Sequence, residues 1–532
     1  MLDVDTHMGD GSELGHASAL LPGQAVPSGR SWHGVPARPT TTVFRRGPAL
    51  PQRWYRPVLF SVGQLAVLLL GPLPIGFSLI VHTAEALTPG LLQALLGIHD
   101  VPWNLAMYEV LVAATLATFV VGIPGVLAIV WTVPRLVARF LRPGVAYPVY
   151  GLAYVVQRFV SRLSNLPRFV SLFGDSSYCV GYLSRLGYRL RPVVQTGSNF
   201  GLAVDHDIPT QCRVGPGTIA SDGLHFSNTD FTSTGFVVSP AVLGAGTFVG
   251  NTVHVPTGAR LGDDVLLATK VAVPLDGPMR TGVGLLGSPC FEIPLRVGGD
   301  GVPPIGSSSD REAGLRRKNR ANRASIAVRL GSDLLIATVA VLILQWAFAL
   351  SHRHGLWVGA LVIAPVPWLL IWWSVLVERA ALGFDRLRSR HATLYHPHFW
   401  THERYWKLSL TAALGLFDAT PFKAWFLRAL GLTVGRRLLD DGCYVVERTM
   451  IRIGDDATLG HQSVLQCHSL ENSVFRSAPV LLGSGATIGA RAFVHYGTRV
   501  GRRATLETDS FLMKGEQMPA DARWVGNPAG PA

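Results

Sequence analysis

The chain has 532 residues and a formal net charge of +13, and its length predicts several domains. Apolar residues make up 48% of the chain and charged residues only 15%, which places part of it in a membrane. The basic residues cluster beside the apolar segments, as topology signals and lipid contacts do. They form no stripe interleaved with exposed aromatic residues, so the sequence argues against nucleic-acid binding.

The cysteines are scattered, odd in number and without a CxxC pair. This pattern predicts neither a zinc knuckle nor a disulfide framework, and it fits reduced cytosolic thiols. The five are Cys179, Cys212, Cys290, Cys443 and Cys467.

An apolar residue recurs at every sixth position in three stretches of the chain. The first begins at Leu2, the second runs from Phe231 to Val273, and the third runs from Leu482 to Met518. A period of six fits neither an α-helix nor an isolated strand. It is the repeat of a β-helix in which each six-residue unit forms one side of a three-sided coil. Such modules are predicted over residues 1–40, 191–296 and 439–532.

The first module starts in the middle of a coil, because its inward series is already under way at Leu2. A solenoid coil needs a neighbour or a cap on each side. We therefore expect residues 1–40 to be the C-terminal remnant of a β-helix. We also expect the chain to be the C-terminal portion of a longer polypeptide.

Four segments are long and apolar enough to span a bilayer, and they form two hairpins over residues 56–133 and 330–379. Lys and Arg are absent from the 82–104 loop and abundant at the opposite ends of the hairpins, which places the β-helices in the cytoplasm. The predicted fold is thus tandem left-handed parallel β-helix modules interleaved with α-helical transmembrane hairpins, in a multi-pass protein of the cell membrane that contacts lipid. The four spans are 58–81, 105–133, 334–350 and 356–377.

Each hairpin leads into its β-helix through an amphipathic helical bridge, over residues 147–190 and 395–438. Residues 297–325 are rich in Gly, Pro, Ser and Arg, a composition typical of a mobile linker. The repeating unit is therefore hairpin, bridge and β-helix.

The C-terminal module has a break in its period at residues 466–481. This excursion carries His468 and Glu471, and a loop that leaves a rigid coil with both groups suits a general base and an orienting or acceptor-binding carboxylate. His495 and Tyr496 lie on a later coil. We predict catalytic roles for His468, Glu471 and His495, and substrate binding by Tyr496. The alternative is that both histidines are ordinary surface residues.

The middle module offers Asp222, His225 and Asp230 as candidate substrate-binding residues, in the irregular stretch before Phe231. Its run from Phe231 to Val273 shows no excursion. We interpret this module as either degenerate or assigned to binding.

The remaining histidines predict no metal site. His461 matches His16 in residue and register; a shared role stays open as the alternative, but the match favours a corner position in the repeat. The spacing of His461, His468 and His495 does not reproduce the close histidine pair of the hexapeptide carbonic anhydrases, so metal ligation is disfavoured.

Seven strings along the chain point to one known family. They are DDGC (440–443), QCHSLE (466–471), FVHYG (493–497), DSFLMKGE (509–516), GLLGSPCFE (284–292), FWTHER (399–404) and FDATPF (417–422). In these strings and in module order, the whole chain resembles the membrane-bound C-terminal region of nonribosomal peptide synthetases of the ε-poly-lysine synthase type.

The resemblance implies three β-helical domains among six membrane helices that join amino acids through isopeptide bonds. The donor would be an aminoacyl thioester on the phosphopantetheine of a carrier protein, with adenylation and carrier domains as partners. This sequence contains no motif of either domain. A CoA-dependent acetyltransferase using acetyl-CoA and a non-catalytic membrane scaffold stay open as alternatives. A homo-oligomer also stays open, because hexapeptide β-helices often trimerise, and three tandem copies would form such a trimer within one chain.

Overall fold

The computed structural model describes residues 1–44, 47–70, 105–190, 203–259, 261–295, 308–409, 412–471 and 474–532. In the C-terminal module the six-residue period folds into parallel coils of three sides each. Leu482 pairs with Val500, and Val500 pairs with Met518. Sheets of five, six and four strands, parallel except for the final strand, form the three sides. Inward residues such as Ile488 and Leu506 are fully buried. The handedness of the coils stays a prediction.

The strands of this module are short. They are Thr433–Val434, Leu439–Asp440, Tyr444–Val445, Ile451–Ile453, Thr458–Leu459, Val464–Leu465, His468–Glu471, Val474–Ser477, Val480–Leu482, Thr487–Ile488, Phe493–Val494, Arg499–Val500, Thr505–Leu506, Phe511–Leu512, Gln517–Met518, Arg523–Gly526 and Ala529–Pro531.

Glycine follows many inward residues because neighbouring coils lie close together at these points. A Cβ atom on Gly454, Gly483 or Gly501 would come within 2.5, 2.7 and 2.5 Å of a backbone nitrogen of the next coil. Any other residue would force the coils apart and lengthen their ladder of backbone hydrogen bonds.

The middle module has the same coil, with one difference from the prediction. Phe231 and Val237 keep the six-residue spacing, but they lie in an antiparallel hairpin and not in a coil. The regular coil resumes at Ala241–Leu243. The module's strands are Arg189–Leu190, Val204–His206, Cys212–Val214, Ile219–Ala220, Leu224–Phe226, Thr229–Phe231, Gly235–Val238, Ala241–Leu243, Phe248–Val249, His254–Val255, Leu266–Leu267, Gly284–Leu286 and Phe291–Ile293.

The first module forms short parallel coils, in which Leu20 and Val26 are buried. Leu2 pairs with Leu20 across one coil. Its strands are His7–Met8, Glu13–Leu14, Ala25–Val26, Ser31–His33 and Arg38–Thr40.

The three modules meet through one turn, Gly-X-Pro, that each carries at its C-terminal end. The amide of Val35 donates to the carbonyl of Ser288 at 2.9 Å, and the amide of Ser288 donates to the carbonyl of Asn527 at 2.9 Å. The third contact joins the C-terminal turn to the first one, since a Cβ atom added to Gly526 would lie 3.3 Å from the carbonyl oxygen of Val35. Each turn therefore contacts the other two. Three tandem β-helices thus form an internal trimer-like arrangement.

A buried ion pair joins the middle and C-terminal modules. Lys270 and Asp509 occupy equivalent left-handed corner positions and are 8% and 3% exposed. The Lys270 ammonium donates to the Asp509 carboxylate, to the Asp509 carbonyl at 2.7 Å and to the Arg491 carbonyl at 2.8 Å. Burial lowers the pKa of Lys270, and the charge of Asp509 opposes that shift. All three Lys270 protons are therefore used at the interface.

Three helices among the described residues are long and apolar enough to cross a membrane, Tyr108–Phe140, Ser309–His354 and Leu356–Ala381. The first predicted span, 58–81, is described as far as Leu70, where it belongs to the apolar helix Tyr55–Leu70. The remainder of this span, to residue 81, lies outside the described residues. The individual segments are Tyr55–Leu70, Leu105–Ala117, a π-helical turn Thr118–Gly122, Ile123–Val137, Ala138–Phe140, Ser308–His354, Leu356–Ile363 and Val366–Ala381.

The predicted linker 297–325 is wrong over its described part, because residues 308–325 are the first turns of the helix Ser308–His354, named here the stem helix. Lys318 on this helix is fully buried, and its ammonium donates to the Glu403 carboxylate. One face of this polar segment is thus ordered by a buried ion pair that its composition did not indicate.

Both bridges are helical, as predicted, and each starts with a short strand. The first bridge contains Ala146–Pro148, Leu152–Ser164, Pro167–Phe173 and Cys179–Leu186. The second contains His391–Thr393, Pro397–Leu408, Ala412–Phe417 and Pro421–Ala429.

The Lys270–Asp509 pair gives a stability prediction for the assembly of modules. Asp509→Asn leaves a buried ammonium without its counter-charge, so we expect it to cost about 3–5 kcal/mol and to lower the midpoint of thermal unfolding of the full chain. Asp521→Asn removes an exposed pair with Arg503 and should cost at most about 1 kcal/mol. Equal midpoints for the two variants would contradict the interface.

Candidate active site

The same insertion interrupts the C-terminal and middle β-helices. A regular coil has three six-residue sides, which is the distance along the chain from Leu482 to its partner Val500. The coil that runs from Ile453 to its partner Leu482 is much longer, because it contains inserted residues. Ile219 of the middle module pairs with Phe248 across a coil that is longer by the same amount. In both modules the extra residues form an antiparallel hairpin against the first strand of the preceding bridge. In the C-terminal module that hairpin begins at His468.

His468 lies against a buried carboxylate. Its Nδ1 is 2.5 Å from Oε1 of Glu447, and the side chain of Glu447 is fully buried while that of His468 is 15% exposed. With the Nδ1 proton donated to Glu447, the Nε2 lone pair is left to accept a proton. Within the described ranges, no residue hydrogen-bonds to Nε2. This is the geometry of a general base oriented by a carboxylate.

Two further donors hold Glu447 in place. The indole Nε1 of Trp406 donates to Oε1 at 2.7 Å, and the backbone amide of Cys467 donates to Oε2 at 2.8 Å. Burial alone would raise the pKa of Glu447, but the charge and hydrogen bond of His468 and the Cys467 amide bring that pKa below its ordinary value. Glu447 is therefore kept as a carboxylate.

The bridge helix Pro397–Leu408 carries Trp406 to this position. The indole lies 4.4 Å from the His468 ring, and His402 of the same helix contacts Phe475 of the hairpin at 4.6 Å between ring centroids. Burial lowers the pKa of His402 to about 3, so its ring is neutral. The helix, the hairpin and the coil thus close around one imidazole.

Glu471 is not the carboxylate that hydrogen-bonds to His468, and its role in binding or orienting the acceptor stays a prediction. Its carboxylate accepts from Lys514 Nζ at 2.6 Å, on a partly exposed surface. Because Glu471 pairs with Val474 across the hairpin, it lies at the end of the strand away from the coil. The carboxylate on His468 is Glu447, on the preceding coil.

His495 lies close enough to His468 for its ionisation to be affected by that residue. It is 6% exposed, and burial, followed by the charges of His468 and Lys514, lowers its pKa to about 3. The catalytic role of His495 stays a prediction. Tyr496 contributes its backbone amide, which donates to His495 Nδ1 at 3.0 Å.

The three middle-module candidates are dispersed. Asp222 accepts a hydrogen bond from the backbone amide of Ala203 at 3.3 Å. His225 stacks on His254 with ring centroids 4.8 Å apart and lines a separate cavity of about 360 Å³ between the three modules. Asp230 lies in the middle module's own hairpin.

The middle module does not repeat the histidine–carboxylate pair. The hairpin register places Thr229 where the C-terminal module has His468, and the coil register places Ile208 where it has Glu447. Counted from the paired bridge strands, Ser161 takes the place of Trp406 on the first bridge helix. In addition, the amide of Leu50 donates to Thr234 at 2.9 Å, so the segment before the first membrane helix covers this hairpin.

The site lies at the border of two modules. Asn251 of the middle module and Gln466 exchange two side-chain hydrogen bonds of 3.1 and 3.3 Å, both buried. The Gln466 amide also donates to the carbonyl of His468 at 2.9 Å. The middle module therefore supports the backbone of His468 through Gln466.

Sequence reasoning missed Glu447 and Trp406. A signal for Glu447 was present, because the inward residues Val445 and Ile453 are further apart than one six-residue repeat. The extra residues between Val445 and Ile453 form the short helix Arg448–Met450, which Glu447 directly precedes. Trp406 carries no such signal, since its role depends on how a separate helix docks.

A scan against models of known protein families gives no match. The chain is similar to a delta-poly-L-ornithine synthetase of Acinetobacter baumannii (strain AB307-0294), with 23% identity over 405 residues. The match covers 72% of this chain and 29% of that protein, so the chain spans under a third of its relative. The similarity agrees with the predicted relation to poly-amino-acid synthetases; the narrower ε-poly-lysine type stays a prediction.

Solved structures of hexapeptide-repeat acetyltransferases match parts of the chain. One from Vibrio cholerae has 16% identity and a TM-score of 0.20 over 22% of this chain and 85% of its own. A maltose O-acetyltransferase of Clostridium difficile 630 has 18% identity and a TM-score of 0.20, over 22% and 80%. The serine acetyltransferase of Neisseria gonorrhoeae has 17% identity and a TM-score of 0.18, over 40% and 88%.

The two carboxylates near His468 give a direct comparison. Glu447→Gln keeps the shape but removes the charge that orients the imidazole, so we expect kcat for acyl transfer to fall about 10²- to 10⁴-fold. Glu471→Gln removes only an exposed pair with Lys514 and should change kcat by less than about fivefold, the equivalent of about 1 kcal/mol. Steady-state kinetics of both variants, with matched unfolding midpoints, check this. A larger loss for Glu471→Gln would contradict the assignment.

Proposed function

We propose that this chain is a membrane-anchored acyl- or aminoacyltransferase that forms amide bonds at a centre built around His468. The observation that carries the proposal is the buried pair of Glu447 and His468, with Nε2 facing away from the carboxylate. The similarity to a poly-L-ornithine synthetase supports an amine as the acceptor.

In the proposed step, the acceptor enters as an ammonium and loses one proton to water. As the neutral amine attacks the thioester carbonyl, His468 Nε2 removes the second proton, the C–N bond forms and the C–S bond breaks. The leaving thiolate then takes the proton from the imidazolium. Glu447 stabilises that imidazolium through Nδ1, and backbone amides of the coil would stabilise the oxyanion.

The proposed donor is an aminoacyl thioester on the phosphopantetheine of a carrier protein, and the proposed partners are the adenylation and carrier domains of a nonribosomal peptide synthetase. We further propose four membrane spans, with the β-helices on the cytoplasmic side, as the Lys and Arg distribution indicates. The catalytic module would then face the compartment that contains aminoacyl carriers.

The catalytic role of His468 is testable with the full chain in lipid nanodiscs. With an aminoacyl carrier protein and an amine acceptor, His468→Ala should reduce amide formation about 10²- to 10⁴-fold because the base is lost. His461→Ala, a corner residue whose Nδ1 is 3.0 Å from the carbonyl of Asp441, is the matched control and should retain activity. Undiminished product from His468→Ala would refute the proposal.

The same assay separates the alternatives. Activity with acetyl-CoA alone, equal to that with the loaded carrier protein, would favour the CoA-dependent acetyltransferase. Loss of synthesis on deletion of the membrane hairpins, with none from His468→Ala, would favour the scaffold.

A further inference from the structure

Glu378 is a buried carboxylate that the proposed reaction has not used. It lies in the last turn of the helix Val366–Ala381, directly after the predicted span 356–377. A carboxylate that is fully buried persists only when its oxygens are bound by donors. The donors of Glu378 therefore show to which parts of the catalytic module this candidate membrane helix is attached.

Three side-chain donors meet at the Glu378 carboxylate. The phenol of Tyr405 donates to Oε1 at 3.0 Å, and the hydroxyl of Ser409 donates to Oε2 at 2.7 Å. The guanidinium of Arg448 also donates to Oε2, and the side chains of this ion pair are each 3% exposed. The backbone amide of Arg448 donates to the Tyr405 hydroxyl at 3.3 Å, so the two donors are joined to each other as well.

Two of these donors are chain neighbours of the groups that build the candidate active site. Tyr405 directly precedes Trp406, whose indole donates to Glu447, and Arg448 directly follows Glu447. Glu378 therefore holds the bridge helix and the coil one residue away from the point where they meet. A displacement of Glu378 would move the backbone on both sides of the hydrogen bond between Trp406 and Glu447.

The middle module lacks this link, as it lacks the histidine–carboxylate pair. In the registers used above, Val160 takes the place of Tyr405 on the bridge helix. Pro209 takes the place of Arg448 at the start of the short helix on the coil. Neither side chain can donate to a carboxylate. In both modules the bridge helix nevertheless packs against the preceding candidate membrane helix, so this packing alone does not require the link.

We propose that Glu378 is a positioning residue of the transferase, through which the candidate membrane helix holds Glu447 in the orientation that His468 requires. This inference rests on the proposed function, because it concerns the rate of that reaction. Glu378 touches no reacting atom and acts through Tyr405 and Arg448. The membrane helix is then part of the catalytic geometry as well as an anchor.

A double-mutant cycle with Glu447 separates positioning from stability. Glu378→Gln should lower kcat by about 10- to 100-fold, as expected when a catalytic group is displaced by about 1 Å. KM should change by less than about twofold, because no substrate contact is lost. In the Glu447→Gln background the same substitution should lower kcat by less than about twofold, since the carboxylate through which it acts is already neutral. The assay is amide formation by the full chain in nanodiscs, with an aminoacyl carrier protein and an amine acceptor.

Asp509→Asn is the matched control, because it also neutralises the carboxylate of a buried ion pair, the one with Lys270. Its effect on kcat, whatever its size, should be the same with and without Glu447→Gln. If Glu378→Gln does not fold, Tyr405→Phe tests the same link. That variant removes the phenol that joins Glu378 to the coil and leaves the buried ion pair in place.

A chemical readout tests the link without the reaction. Diethyl pyrocarbonate modifies unprotonated imidazole, and peptide mass spectrometry gives the rate of modification at His468 as a function of pH. Glu378→Gln should shift this pH profile in the same direction as Glu447→Gln does, whereas Asp509→Asn should leave it in place. Full product formation by His468→Ala, together with this shift, would refute the catalytic proposal and leave the link between Glu378 and Glu447 intact.

Three results would overturn the inference. The first is an unchanged kcat in both Glu378→Gln and Tyr405→Phe. The second is an equal fold loss from Glu378→Gln in the wild-type and Glu447→Gln backgrounds, which would make Glu378 a purely structural residue. The third is a pH profile of His468 modification that Glu378→Gln does not move, and this result would count against the link even with His468 as the base.

Discussion

The carboxylate of Glu447 is the constraint on which the rest of the site depends. A fully buried carboxylate persists only when its oxygens are hydrogen-bonded, and its donors come from three separate segments: the indole of Trp406, the amide of Cys467 and the imidazole of His468. The bridge helix, the coil and the hairpin must therefore dock together for any one of them to be satisfied. The ion pair between Lys318 and Glu403 extends the same requirement to the stem helix, which leads into a candidate membrane span.

Three similar modules in one chain allow their positions to diverge, which identical subunits of a homotrimer cannot do. The middle module keeps the coil, the hairpin and the bridge, but Ile208 and Thr229 replace the carboxylate and the imidazole. Two of its polar side chains, Asn251 and Lys270, bind Gln466 and Asp509 of the C-terminal module. In this account one module has become the support of its neighbour.

The periodicity of the sequence predicted the coils, because only an apolar residue fits the interior of each side. It also located His468, since an excursion from a rigid coil interrupts the period. It failed for Phe231 and Val237, which keep the six-residue spacing while lying in a hairpin. The periodicity also gave no indication that Glu447, on the neighbouring coil, is the carboxylate that contacts His468. The composition of residues 297–325 did not predict the helix there, because the ion pair that buries Lys318 has its partner, Glu403, far away in the sequence.

The central claim is that His468 is the base of a thioester-dependent transfer. Bromoacetyl-pantetheine resembles the donor and carries its alkylating carbon next to the carbonyl that the acceptor nitrogen would attack, so a base beside that carbonyl should displace bromide. After incubation with the full chain in nanodiscs, peptide mass spectrometry should find one adduct per chain, on His468, and the amine acceptor should protect against it. Alkylation spread over several histidines, or none on His468, would contradict the account.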